Sequence, residues 1–287
     1  MTVPIKKVLA CVDGSAYLDS VCLHARWAAM LQQAPVHILH VQTPFQQWIS
    51  PANYPNTMGA PVPGELFEQF NQLEQDHAKL EKQRGAFVIA KAKELLVDAN
   101  VPVEATQVIG ELADAVSTYA DTTSMVVIGK RGEDVHDSNK YLGANLEPVV
   151  RATHGSVLVC APQYTPITRV AIAYDGSANA YKALEYVIKH PLFAGVEFHL
   201  VGVAPINERD TLQLEKAAGI LRQTHHNVQV YYGDGFVEDV LREYIGQHDI
   251  NLLLMGAYSH STLRSMFIGS TTNAMLQSCP VSVLLFH

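Results

Sequence analysis

Two apolar runs in this chain end in the same tripeptide. Val8-Leu9-Ala10-Cys11-Val12 leads into Asp13-Gly14-Ser15, and Val170-Ala171-Ile172-Ala173-Tyr174 leads into Asp175-Gly176-Ser177. Asp-Gly-Ser is turn chemistry, because the carboxylate and the hydroxyl can bond nearby backbone amides and glycine relaxes the backbone. By itself it signifies no more than a turn. Later in each half a second apolar run ends in glycine: Ser124-Met125-Val126-Val127-Ile128-Gly129 and Leu252-Leu253-Leu254-Met255-Gly256. In the second half that glycine opens a stretch that begins with small and hydroxyl residues (Ala257, Ser259, Ser261, Thr262) and ends in Gly269-Ser270-Thr271, just before a helical pattern. A helix N-terminus presents unpaired amides and a partial positive charge, so this arrangement suits an anion such as phosphate. Ser270 and Thr271 add hydroxyl donors. The loop carries His260 and Arg264 and no Asp or Glu.

These motifs need elements to hold them. In the first half, strands are expected at Ile5–Val12, Val36–Val41, Val103–Ile109, Met125–Ile128 and Ser156–Cys160. Helices are expected at Ser15–Gln33 with Ser15 as N-cap, Glu65–Asn100, Glu111–Asp121 and Leu142–Thr153, the last capped by Asn145. The second half repeats the order. Its strands are Val170–Tyr174, Glu197–Val203, Val228–Tyr232, Leu252–Met255 and Val281–Phe286. Its helices lie near Ala178–His190, Glu208–His225, Val237–His248 and Thr271–Gln277, the first cut short by Pro191 and Gly195. Alternating strands and helices with apolar strands predict an α/β fold with a doubly wound parallel sheet in each half. A five-stranded sheet in the order 3-2-1-4-5 places strands one and four side by side. Ligands of open α/β sheets sit at that switch point, beyond the carboxyl ends of the strands. The Asp-Gly-Ser turn and the glycine loop therefore converge. The domains are read as 1–161 and 167–287, joined by Ala161-Pro162-Gln163-Tyr164-Thr165-Pro166.

The second-half spacing, Gly256-x2-Ser259-x9-Gly269-Ser270, resembles the phosphate loop of the universal stress protein family, whose nucleotide-binding members carry Gly-x2-Gly-x9-Gly-Ser/Thr after strand four and an aspartate after strand one. Serine at position 259 replaces one glycine. The resemblance spans nearly the whole chain, as two tandem Rossmann-like family domains. It implies ATP or a related adenine nucleotide, with or without magnesium. Asp175 would then sit by the adenine and ribose, and Val203 would offer backbone groups to the base. Gly256, Ser259, Gly269, Ser270 and Thr271 would hold ribose and phosphates.

The first half departs further. Gly129-Lys130-Arg131-Gly132 keeps two glycines, but ten residues precede Gly143, and Ala144-Asn145 replaces the hydroxyl pair. Glu133, Asp134 and Asp137 put carboxylates where a polyphosphate would lie, and each would oppose it through Coulomb repulsion of roughly 1 kcal/mol near a wet surface. Asp13, Val41, Gly129, Gly132 and Gly143 are therefore the weaker set. Gly110 and Gly233 are read as helix entries, His40 as a core or pocket-lining ring, and Tyr231-Tyr232 as ordinary strand packing.

Composition narrows the classes. The chain has 287 residues and a net charge of −8, with Lys and Arg scattered, which argues against a nucleic-acid surface. No apolar run approaches the roughly 20 residues of a membrane span, and the N-terminus lacks the pattern of a signal peptide. Four cysteines without Cys-x-x-Cys spacing suit a reducing cytoplasm. The histidines form no metal-binding pattern. There is no P-loop lysine and no acidic pair placed for magnesium, so no catalytic residue is assigned and at most slow ATP hydrolysis is expected.

The expected function is nucleotide-responsive regulation acting on a protein partner not named by the sequence. The alternatives are a nucleotide-independent scaffold with a relic site, or an adenylating-type transferase. The apolar strands at 156–160 and 281–286 should pack the halves together; pairing of two chains stays open. Residues 42–64 carry five prolines (Pro44, Pro51, Pro55, Pro61, Pro63) with Phe45, Trp48, Tyr54 and Met58 among them. They read as a lid or docking surface over the first pocket, or else as a folded-down surface loop. The charged run 65–94 reads as a solvated helix face.

Overall fold

The computed structural model describes residues 6–42, 64–97, 100–133, 142–190, 193–203, 208–224, 227–257 and 270–286. The expectation for the loop at 42–64 falls almost wholly outside these residues, as do Asp134, Asp137, Pro191, His225-His226 and the loop at 258–269.

In the first half, β1 (Lys7–Cys11), β2 (Val36–Gln42), β3 (Val103–Ile109), β4 (Thr123–Gly129) and β5 (Ser156–Cys160) alternate with α1 (Leu18–Gln32), α2 (Gly64–Leu96), α3 (Leu112–Thr118) and α4 (Leu146–Ala152). The second half has β6 (Arg169–Ala173), β7 (Glu197–Val203), β8 (Val228–Gly233), β9 (Leu252–Gly256) and β10 (Ser282–Phe286). Between them run α5 (Ala178–Lys189), α6 (Glu208–Arg222), α7 (Val237–Gln247) and α8 (Ser270–Ser278). All ten strands belong to one sheet, ordered β3-β2-β1-β4-β5-β10-β9-β6-β7-β8. Each half thus has the 3-2-1-4-5 order and is parallel throughout.

The halves meet where β5 and β10 pair antiparallel, with Leu158 opposite Leu284, flanked by Val159–Val283 and Val157–Leu285. Both strands are fully buried. An apolar strand left at a sheet edge invites unwanted pairing, and each half covers the other's edge.

Helices lie on both faces, and strand alternation decides which core each side chain enters. Val8 and Ala10 join α1, α2, α5 and α6 on one face. Leu9 and Cys11 join α3, α4, α7 and α8 on the other. On α2, Val88, Ala92 and Leu96 face the core while Leu73, Leu80 and Phe87 are exposed, so its outer surface is not purely polar.

Several local expectations need correction. Ser15 does not cap α1. That helix begins at Leu18 after Tyr17, and the Ser15 hydroxyl instead accepts the Tyr17 N–H at 3.2 Å in the preceding turn. Asn145 stands at the N-cap of α4 without a side-chain bond to the helix, which is only seven residues long. The helix expected over 111–121 splits into α3 and a short 3-10 turn at Ala120–Thr122. By contrast, Ser177 caps α5, accepting the Ala180 N–H at 3.1 Å.

Candidate functional site

β1 hydrogen-bonds to β2 on one side and β4 on the other, and β6 does the same with β7 and β9. The turn after strand one therefore faces the glycine that ends strand four in each half.

In the first half this crevice is a cavity of about 450 Å³. Asp13, Val41, Gly129, Gly132 and Gly143 all line it, so the structure brings the weaker candidate set onto one surface. Asp13 Oδ1 accepts the Ser15 N–H at 3.1 Å, which fixes the turn. A Cβ at Gly129 would meet Tyr17 at 2.7 Å, and one at Gly143 would lie 3.2 Å from the Arg131 Cα. Gly143 donates its N–H to the Lys130 carbonyl at 2.9 Å, closing the loop ends together. His40 lines the cavity as expected. Its Nδ1 lies 2.9 Å from the Val12 carbonyl, and a carbonyl only accepts, so Nδ1 carries the proton. Gly110, expected to serve helix entry, has φ +148° and also lines the cavity. Burial, with the Asp13 carboxylate adding to it, pushes the Cys11 thiol up to about 12, so this cavity wall is an inert thiol.

Sequence reasoning missed the contribution of α2. His77, Glu81 and Arg84 line the cavity from that helix. Their spacing of four and three residues puts them on one helical face, a signal that could have marked them. Glu133, read as a carboxylate opposing phosphate, is bound inside the site. It accepts the Gly14 N–H and pairs with the Arg84 guanidinium.

In the second half, Asp175 Oδ1 accepts the Ser177 N–H at 2.9 Å. Gly176 has φ +72°, a left-handed conformation that favours glycine; Gly14 does not share it, so the two Asp-Gly-Ser turns differ. Val203 ends β7 opposite Gly233. Gly256 ends β9, where a Cβ would meet that of Asn179 at 2.9 Å. The buried Thr272 anchors α8 to this strand end, donating toward the carbonyls of Gly256 and Ala257, each 3.2 Å away. Ser270 and Thr271 form the first turn of α8, the former exposed and the latter half-buried. Ser259 and Gly269 lie outside the described residues.

One residue of the first glycine loop leaves its own domain. Lys130, 5% exposed, donates from Nζ to the carbonyls of Cys279 and Val281 just beyond α8. Burial lowers its pKa, and the C-terminal end of α8 gives the cation a partner of opposite polarity. Among the described residues, no group of three or more His, Cys, Asp or Glu could hold a metal ion. No described helix is long and apolar enough to cross a membrane. The four cysteines are buried and free.

Two doubly wound domains sharing one sheet through their last strands, each with an Asp-Gly-Ser turn beside the glycine that ends its fourth strand, define the class. The model of the universal stress protein family matches residues 4–161 and 206–287, and the chain belongs to that family. Universal stress protein Slr1230 of Synechocystis sp. is 32% identical over 289 residues, covering 99% of this chain and 100% of that one. A universal stress protein from Archaeoglobus fulgidus superposes with a TM-score of 0.68 at 17% identity, over 98% of this chain and 97% of its own. A functionally unknown protein from Pseudomonas aeruginosa superposes with a TM-score of 0.62 at 13% identity, over 98% and 92%. At these identities the two structures speak for the fold alone.

Proposed function

We propose that this chain is a nucleotide-responsive stress regulator that binds ATP or a related adenine nucleotide chiefly in its second domain. The observation that carries the reading is the placement of the α8 N-terminus. Thr272 ties that helix to the end of β9, next to β6 and the Asp175 turn. Free amides at the helix start and the hydroxyls of Ser270 and Thr271 suit phosphate. The preceding residues 258–269 contain no Asp or Glu to oppose it. Asp175 uses Oδ1 in its turn, and a carboxylate can accept hydroxyl donors such as those of ribose through its other oxygen. The residues therefore fit an adenine nucleotide, with Val203 offering backbone groups and Ser259 and Gly269 completing the loop. Binding would bias how the protein meets a regulatory partner; turnover is not required. The competing reading is a scaffold whose site is a relic.

Calorimetric titration with ATP tests this. One principal site per chain is expected, lost in Gly269→Trp and weakened at least tenfold in Asp175→Ala, with Asp13→Ala close to the parent. Two equal sites would overturn the asymmetry. No binding at any concentration that keeps the protein folded would leave the scaffold reading.

A further inference from the structure

We infer that the first-domain cavity takes an uncharged ligand of nucleoside size, and that Glu133 excludes phosphate by occupying the anion seat itself. This stands apart from the second-domain reading.

The seat is built from two groups. One is the Gly14 N–H in the turn after β1, and the other is the Arg84 guanidinium on α2. Glu133 bonds both, although it is 119 residues from the first and 49 from the second. A backbone amide beside a guanidinium is a usual pair of donors for a phosphate oxygen. Here a carboxylate of the protein's own chain satisfies both.

The remaining charge points the same way. Among the described residues, Asp13, Glu81, Glu111 and Glu133 line the cavity against Arg84 and Arg131, an excess of two carboxylates. Arg84 is committed to Glu133, and Arg131 lies hydrogen-bonded beside the Tyr17 hydroxyl. Lys130, the next cation in the loop, is buried against the second domain instead. A phosphate would meet carboxylates whose nearby cations are already paired.

A neutral ligand meets no such opposition. Val41 and Ile128 give an apolar wall for a heterocycle, and Asp13 offers an acceptor to hydroxyl donors. The volume of about 450 Å³ lies in the range of small-ligand sites.

The test uses the full chain, with adenosine and ATP as probes, read by the amide NMR shifts of Gly14, Gly110 and Gly132. Adenosine should shift these amides saturably in the parent protein, and ATP at equal concentration should not. Glu133→Ala should admit ATP at the same amides at least tenfold more tightly than the parent. Glu133→Gln, which keeps the side-chain shape, should fall between. ATP shifting the parent as strongly as adenosine would overturn the proposal. So would an unchanged preference in both variants, or no response of these amides to either probe. Because the reporters lie in the first domain, failure of ATP binding in the second leaves each outcome readable.

Discussion

His24 Nε2 lies 2.9 Å from the Ser282 hydroxyl, joining α1 of the first domain to β10 of the second across 258 residues of sequence. The histidine's Nδ1 is 2.8 Å from the Ser20 carbonyl. Ser20 donates to the Ala161 carbonyl at 2.7 Å, and the Ala161 N–H donates to Ser282 at 3.0 Å. With the proton on Nδ1, Nε2 accepts the Ser282 hydroxyl and each atom has a compatible partner. The network therefore suits a neutral ring.

Its pH dependence follows from that protonation state. Burial lowers the His24 pKa from 6.5 to about 4, against the opposing effect of its Ser20 hydrogen bond. Between those values the unfolded chain binds more protons than the folded one, so stability rises with pH. The contribution is fully present above pH 6.5 and is lost as pH falls toward 4, and the gap corresponds to about 3 kcal/mol. His37, His190 and His199 are also lowered by burial and act in the same direction. Urea unfolding from pH 7.5 to 4.5 should show the loss, and His24→Gln should flatten part of the slope. An unchanged slope in that variant would exclude His24 as a source.

Lys130 should be more sensitive to truncation than to replacement by an apolar side chain of similar length. Lys130→Ala strips the carbonyls of Cys279 and Val281 of this donor and opens a gap, at a cost of about 1–3 kcal/mol. Lys130→Met fills the space and removes a buried ammonium together with its desolvation cost, so it should be milder. Chemical denaturation of the two variants decides this, and equal losses would show that the charge itself matters most.

The β5–β10 junction should tolerate a cavity better than a charge. Leu284 is fully buried opposite Leu158, and Leu284→Ala should cost about 2–5 kcal/mol. Leu284→Asp places an unpaired carboxylate there and should disrupt the joint altogether. Small-angle scattering should show expansion for the aspartate variant alone. A compact Leu284→Asp protein would mean that the shared sheet does not hold the halves together.

The two serines of the repeated tripeptide should differ. Ser177 caps α5, so Ser177→Ala should cost about 1 kcal/mol. Ser15 bonds within a turn ahead of α1, and Ser15→Ala should cost less. Thermal melts of both variants provide the comparison, and a larger loss at Ser15 would contradict the cap assignment.

The sequence by itself determined the repeat, the strand–helix alternation and the strand order within each half. Those features rest on local periodicity and on the handedness of crossovers, which each segment carries within a few dozen residues. It also placed Asp13 near Gly129 and Asp175 near Gly256, since strands one and four must adjoin in that order. Cap positions at Ser15 and Asn145 were misjudged, because the start of a helix depends on the turn that delivers the chain to it. Only the tertiary structure decided that Glu133 meets Gly14 and Arg84, that Lys130 points into the other domain, and that β5 and β10 run antiparallel. Those partners are separated by 49 to 151 residues. A charged residue's sequence neighbours do not indicate which distant amide, carbonyl or guanidinium the packed sheet will bring to it.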